Sequence, residues 1–142
     1  PISLPRPKGS PTEDQLFVAL RGLRGVFLPP GEQRRVPYLP GAFFTRLSHQ
    51  PLSWIEAVVK RDATLQTVTV PAGTFETVLY DLRIGDGRVG TFYIEAAYPH
   101  RIVKWSLPPD VSGELTGSTR LAYWTLNEEG DESYLKEIGL GQ

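Results

Sequence analysis

Histidine, the side chain best suited to moving a proton near neutral pH, stands at only two positions, His49 and His100. Neither has a second histidine at His-x-x-x-His spacing, so no metal site is expected from them. His100 sits between Pro99 and Arg101 in a turn-like stretch. A general base there needs a carboxylate such as Asp81 or Asp110 within hydrogen-bond reach; the plainer reading is a polar turn residue. Cysteine is absent, which removes thiolate nucleophiles, disulfides and cysteine metal sites. Ser118 follows Gly117 but lacks the second glycine of a nucleophile elbow, and its surroundings read as strand. Gly85-Asp86-Gly87 is not a phosphate cradle, because no helix follows it.

Asp81 and Arg83 share one strand face, and Lys104 and Arg120 are expected on neighbouring strands. Inside the curve of a sheet these four would form an ionic network or hold an anion; pointing outward they form a solvated face. The aromatic residues Trp54, Tyr80, Phe92, Tyr93, Trp105, Tyr123 and Trp124 are dense for this length. Most belong in a core, where they can also line a pocket. Tyr80, Tyr93, Phe92, Trp105 and Trp124, with Arg83 and Arg120, are the candidate ligand-binding set. No catalytic residue, metal ligand or cofactor is assigned.

A chain of 142 residues with net charge -1 has no dense basic face for nucleic acid. Its length suffices for one domain burying roughly 70% of its unfolded surface. Methionine is also absent and the chain opens on Pro1, which reads as a processed or truncated piece of a longer protein. No run approaches the ~18 apolar residues needed to span a bilayer.

The elements that position these side chains centre on Thr67 to Trp105, where strand-like runs alternate with turn residues. Asp86-Gly87 between apolar runs signals a hairpin with a type I′ turn. Its register places Ile84 opposite Val89, Leu82 opposite Thr91, Tyr80 opposite Tyr93 and Val78 opposite Glu95. Val78, Tyr80, Leu82, Ile84, Val89 and Tyr93 then share a core face, and Leu79, Phe92, Ile94, Asp81 and Arg83 share the other.

Around this hairpin, residues 1–11 carry four prolines and read as an extended lead-in to a single β-rich domain over 12–142. Thr12 with Gln15 fits a capping box, Leu16, Leu20 and Leu23 form an apolar stripe, Arg21 and Arg24 close the helix, and Gly25 offers a left-handed cap. Arg34 to Leu39 and Ala42 to Leu47 read as short strands. Leu52 to Lys60 reads as helix or strand, with strand favoured by side-chain type, and Thr64 to Val70 as a cleaner strand. Pro71-Ala72-Gly73-Thr74 is a turn, with positive φ at Gly73 and Phe75 anchored in the core. Arg101 to Leu107 forms a strand with Val103, Trp105 and Leu107 on one side. Pro108-Pro109-Asp110 turns, Glu114 to Leu126 is the last long strand, Asn127 to Asp131 is a polar loop, and Tyr134, Leu135, Ile138 and Leu140 dock the tail. The fold class is mainly β (α+β): a curved antiparallel sheet or half-open barrel of about seven or eight strands with one N-terminal helix packed against it.

The order of helix Leu16 to Leu23, the turn Val70-Pro71-Ala72-Gly73-Thr74-Phe75, a hairpin, Tyr98-Pro99-His100-Arg101-Ile102-Val103 and Gly113-Glu114-Leu115-Thr116 resembles the bacterial domain-of-unknown-function family numbered 3108. The resemblance covers roughly Thr12 to Leu126 and is most specific at Pro71 to Phe75 and Tyr98 to Val103. Gly90-Thr91-Phe92-Tyr93 departs from it, since the family often carries tryptophan there, and Val26 to Gly41 has no counterpart. It implies a lipoprotein-carrier-like half-barrel, a periplasmic or cell-envelope setting and an apolar cavity, and it supplies no catalytic residue. The function expected is therefore non-enzymatic binding of a hydrophobic or amphipathic small molecule or lipid between helix and sheet. The alternatives are a structural or protein-interaction module of a larger secreted protein and, last, a hydrolase centred on His100.

Overall fold

The computed structural model describes residues 4–23, 25–109, 111–126 and 128–140. Six antiparallel strands follow one another through a single sheet: β1 Gln33–Tyr38, β2 Ile55–Val70, β3 Gly73–Ile84, β4 Val89–Glu95, β5 Ile102–Leu107 and β6 Val111–Glu114. β1 and β6 are its edges, so the sheet stays open. The helix α1, Glu13–Ala19, packs on one face, and α2, Ala42–Ser48, connects β1 to β2. Short 3-10 turns at Tyr123–Thr125 and Asp131–Ser133 lead to α3, Tyr134–Glu137.

The capping box forms as its residues dictate. Gln15 N donates to Thr12 Oγ1 at 3.3 Å and Thr12 N donates to Gln15 Oε1 at 3.3 Å. Leu16 and Leu20 are buried against Val36, Tyr38, Val59, Leu82, Phe92 and Ile94 of the sheet. The helix is shorter than its apolar stripe: it ends at Ala19 with Leu20 as a right-handed cap, so Leu23 is half exposed and Gly25, though at φ +118, does not cap it. Arg24 lies outside the described residues.

The central hairpin forms, but one residue out of the expected register. Arg83 pairs with Val89, Leu82 with Gly90, Tyr80 with Phe92 and Val78 with Ile94. Gly87 N donates to Ile84 O at 2.9 Å and Ile84 N to Arg88 O at 2.9 Å, and only Gly87, at φ +94, is left-handed in this loop. This is a three-residue loop with a glycine bulge, in place of a type I′ turn. A one-residue slip moves every β4 side chain to the other face. Phe92 and Ile94 therefore join Tyr80, Leu82 and Ile84 in the core, while Val89 is exposed and Tyr93 half-buried on the reverse face.

Three further expectations change. Residues 42–48 are helix, with Phe43, Phe44 and Leu47 at helical spacing. The runs at 52–60 and 64–70 merge into the single strand β2, irregular between Arg61 and Leu65 where its pairing to β3 shifts. The last strand stops at Glu114, because residues beyond Leu115 have run past the start of β5 at Ile102 and lose their pairing partner; the described residues therefore hold six strands rather than seven or eight.

Smaller features follow the same logic. Gly73 has φ +132 as the turn requires, but Phe75 is half-buried beneath the Arg101 guanidinium, 5.1 Å from its ring, rather than anchored in the core. A register shift in β5 lets Ile102 and Trp105 pair with Ile94 and Phe92 on the core face. Val103 is fully buried but outside that cluster. The tail docks on residues 116–119, where Thr116 Oγ1 donates to Ile138 O at 2.9 Å, and leaves Leu135 and Leu140 exposed.

Candidate binding site

A seven-residue helix is about 10 Å long, whereas the twelve residues of β3 run about 40 Å. α1 can cover only the middle of its sheet face. There Leu16 and Phe92 are completely buried and Phe17 meets Phe92 edge-on with ring centroids 5.2 Å apart. Past each end of the helix the sheet face is less completely covered.

Beyond the C-terminal end of α1 lies a half-open cavity of 220 Å³. Val78, Tyr80 and Ile94 supply its sheet wall, and Leu20 and Phe27 face them. Strand alternation brings these residues together, since Tyr80 pairs with Phe92 and Val78 with Ile94. Phe27 packs edge-on to Tyr80 at 6.4 Å, and burial pushes the Tyr80 hydroxyl pKa up.

Arg21, Arg61, Glu95 and His100 complete the lining. Glu95 is fully engaged: Arg101 Nε donates to its Oε2 and Arg101 Nη2 to its Oε1, both at 2.7 Å. Hydrogen bonds from Arg101 hold the Glu95 pKa below the usual carboxylate range. Arg21 has carbonyl partners, and Arg61 has a carbonyl partner and the neighbouring Tyr80 hydroxyl. Arg21 donates to His100 O at 2.8 Å and Pro99 O at 3.0 Å, and Arg61 Nη1 donates to Leu28 O at 2.8 Å. Arg61 Nε is buried without an acceptor, and among the described residues neither arginine enters an ion pair. The cavity thus combines an apolar floor with two guanidinium charges that no carboxylate balances.

The anticipated ligand set does not converge. Tyr80 lines this cavity, and Phe92 is sealed in the core beneath α1. Trp105 lies beyond the other end of α1, 4.9 Å from Phe17. Tyr93 and Arg83 are on the reverse face, where Arg83 stands exposed beside Lys60 and Asp81 as part of a solvated surface. Trp124 and Arg120 lie exposed in the C-terminal segment, and Lys104 pairs with Glu114 at 2.7 Å.

His100 adopts φ +57 in its turn and its Nδ1 is 3.1 Å from Glu95 O. Asp81 is on the opposite side of the sheet, and Asp110 is outside the described residues, as is Asn127 of the expected polar loop. His49 is the left-handed C-cap of α2, its N–H donating to Thr45 O. Arg61 carries the signal that sequence reasoning missed: on β2 it shares parity with the buried Ala57 and Val59, so its side chain must enter the core face.

At the N-terminal end of α1 a buried ionic node ties helix to sheet. Tyr38 donates from its hydroxyl to Glu13 Oε2 at 2.6 Å. Arg88 Nη2 lies 2.9 Å from the same oxygen, as an ion pair rather than an aligned hydrogen bond, and Arg88 Nε donates to Asp86 Oδ2 at 3.0 Å. Burial first, then the Glu13 carboxylate, pushes the Tyr38 pKa far up.

Among the described residues no group of three or more His, Cys, Asp or Glu side chains is placed to hold a metal ion, and no helix is long and apolar enough to cross a membrane. No family model, curated protein or solved structure matches this chain.

Proposed function

We propose that this chain is a non-enzymatic binding domain of the cell envelope that takes a short amphipathic anion, a carboxylate on an apolar chain, into the cavity at the C-terminal end of α1. The observation that carries this reading is the pair Arg21 and Arg61 above Val78, Tyr80 and Ile94, with a buried Arg61 Nε that no protein group accepts from. Buried donors are nearly always satisfied, and a ligand in the cavity is one way to satisfy this one. A carboxylate would supply the missing acceptor and the missing charge, and the apolar floor would shed water beneath its chain. The space of 220 Å³ is below the about 300–1,000 Å³ of drug-sized pockets, so a diacyl lipid would be excluded and a chain of medium length admitted. Envelope placement is supported by the sequence resemblance, and a non-enzymatic role by a His100 imidazole whose Nδ1 meets the Glu95 carbonyl while the Glu95 carboxylate is occupied by Arg101.

Calorimetric titration with octanoate, and with octan-1-ol as its uncharged counterpart, tests this reading. Octanoate should bind at least about tenfold more tightly than the alcohol, and Arg61→Met should abolish that preference. Equal affinity for the two, or binding by neither, would overturn the proposal.

A further inference from the structure

We propose that the outer edge of β2 over residues 64–70 is a strand-pairing surface, and that the strand it takes is the same stretch of a second copy of this chain, laid antiparallel about a two-fold axis at Thr67. β2 is 16 residues long and β1 only 6, and β1 pairs with residues 55–60 alone. Glu32 O extends that cover by accepting from Arg61 N at 2.9 Å, and the turn at Pro71 ends the strand. Between these limits β2 has β3 on one side and, among the described residues, no strand on the other. The hairpin closes on Val70 and Gly73, and antiparallel pairs alternate between hydrogen-bonded and open, so Gln66, Val68 and Val70 turn their backbone groups towards β3. Leu65, Thr67 and Thr69 turn theirs outward. Glu76, opposite Thr67, keeps to this alternation: its carbonyl points away from β2 and accepts from Ala96 N at 2.9 Å. Among the described residues no backbone group outside the sheet bonds to the outward groups of Leu65, Thr67 and Thr69.

The side chains decide which strand fits. Unpaired edges are ordinarily guarded by charge, proline or brevity. The two outermost strands of this sheet are guarded in those ways: β1 carries Arg34, Arg35 and Pro37, and β6 has 4 residues. Residues 64–70, TLQTVTV, carry no charge, proline or glycine and are rich in β-forming types. Leu65 is 52% exposed, with Thr67 and Thr69 exposed beside it. A two-stranded ribbon is marginal in water, and β4 pairs with β3 only from Thr77 onward, so the part of the ribbon beyond it gains from a third strand. A second copy supplies that strand without setting like charges together. With Thr67 opposite its own copy, Leu65 of each chain lies opposite Thr69 of the other, and the outward N–H and C=O groups pair with one another. The two-fold axis uses this edge in both copies, so the assembly closes as a dimer. Pairing along one short edge buries less than the about 1,200 Å² of stable complexes, which makes the dimer weak and dependent on concentration.

The test is sedimentation of the whole chain from about 10 μM to about 1 mM, with amide hydrogen exchange read at both limits. A reversible monomer–dimer equilibrium is expected. Exchange at the Leu65, Thr67 and Thr69 amides should slow at least about threefold at the higher concentration, while Gln66, Val68 and Val70 are protected throughout. Thr67→Lys sets two ammonium groups across the axis and should weaken the dimer at least about tenfold, whereas Thr67→Val should leave it intact. Should Thr67→Lys fail to fold, exchange on the natural chain still decides. A chain that stays monomeric, growth beyond a dimer, no added protection at the three outward amides, or a Thr67→Lys dimer as tight as the natural one would overturn the proposal. Octanoate selectivity rests on Arg21 and Arg61 rather than on this edge, so failure of either proposal leaves the other standing.

Discussion

The two ends of α1 offer the same materials arranged in opposite senses. Each is an apolar opening of about 200 Å³ where a short helix stops covering a long sheet. At the N-terminal end Arg88 is ion-paired with both Glu13 and Asp86 in a buried node that the Tyr38 hydroxyl joins. At the C-terminal end Arg21 and Arg61 are held by carbonyl oxygens and the Tyr80 hydroxyl, with no carboxylate among their partners, and the nearby Glu95 is occupied by Arg101. A charge that already has its counter-ion serves stability, whereas one held only by dipoles stays available to a ligand. The difference separates the half of the helix–sheet junction whose charges are paired within the fold from the half proposed to bind.

The largest expected effect comes from breaking the fastening. Glu13→Ala leaves Arg88 buried without its carboxylate and Tyr38 without its acceptor, and should cost about 3–5 kcal/mol in urea unfolding. Tyr38→Phe removes one hydrogen bond to a charged group and should cost about 1.5–3 kcal/mol. If the two substitutions were equally mild, the node would not be what ties α1 to β1.

Glu95→Gln should cost about 1–3 kcal/mol near neutral pH by halving the clamp on Arg101. Its pH dependence sharpens the argument. The folded-state pKa of Glu95 is lowered, so its contribution is present in full above the ordinary carboxylate range and fades as pH falls through the folded value. The gap in Tm between the natural chain and Glu95→Gln should therefore be constant from pH 6 to 8 and close below about pH 4. A gap that widened on acidification would contradict the assignment. At the small end, Arg61→Met loses one hydrogen bond to Leu28 O and should shift stability by about 1 kcal/mol or less while removing octanoate selectivity.

Local signals carried much of this fold to the reader of the sequence, and non-local ones did not. The capping box at Thr12, the turn at Gly73 and the strand-rich centre rest on contacts a few residues apart, and they form as read. The hairpin was legible but its register was not, because Asp86-Gly87 serves a two-residue or a three-residue loop equally and only the buried face chooses. Ala42 to Leu47 carries helical spacing that flanking prolines obscured. Residues 115–126 alternate like a strand, but a strand exists only beside a partner, and beyond Leu115 the chain has passed the start of β5 at Ile102.

For the candidate site, Tyr80 was visible as an inward aromatic, whereas its companions come from separate elements. Arg61 meets Tyr80 only through β2–β3 pairing, and Arg21 meets His100 across most of the chain. Residues singled out by type alone, such as Trp124, Arg120 and Arg83, were scattered because type says nothing of which face or segment receives them.

The most direct test is a titration of octanoate into a ¹⁵N-labelled sample, with the shifted amides mapped. The account predicts that octanoate moves residues 20–27, 61 and 94–100 and leaves residues 13–17 and 43–47 in place. Shifts centred on residues 13–17 and 43–47, or octanoate leaving residues 20–27 and 61 unmoved, would contradict the division of α1 into a fastening end and a binding end.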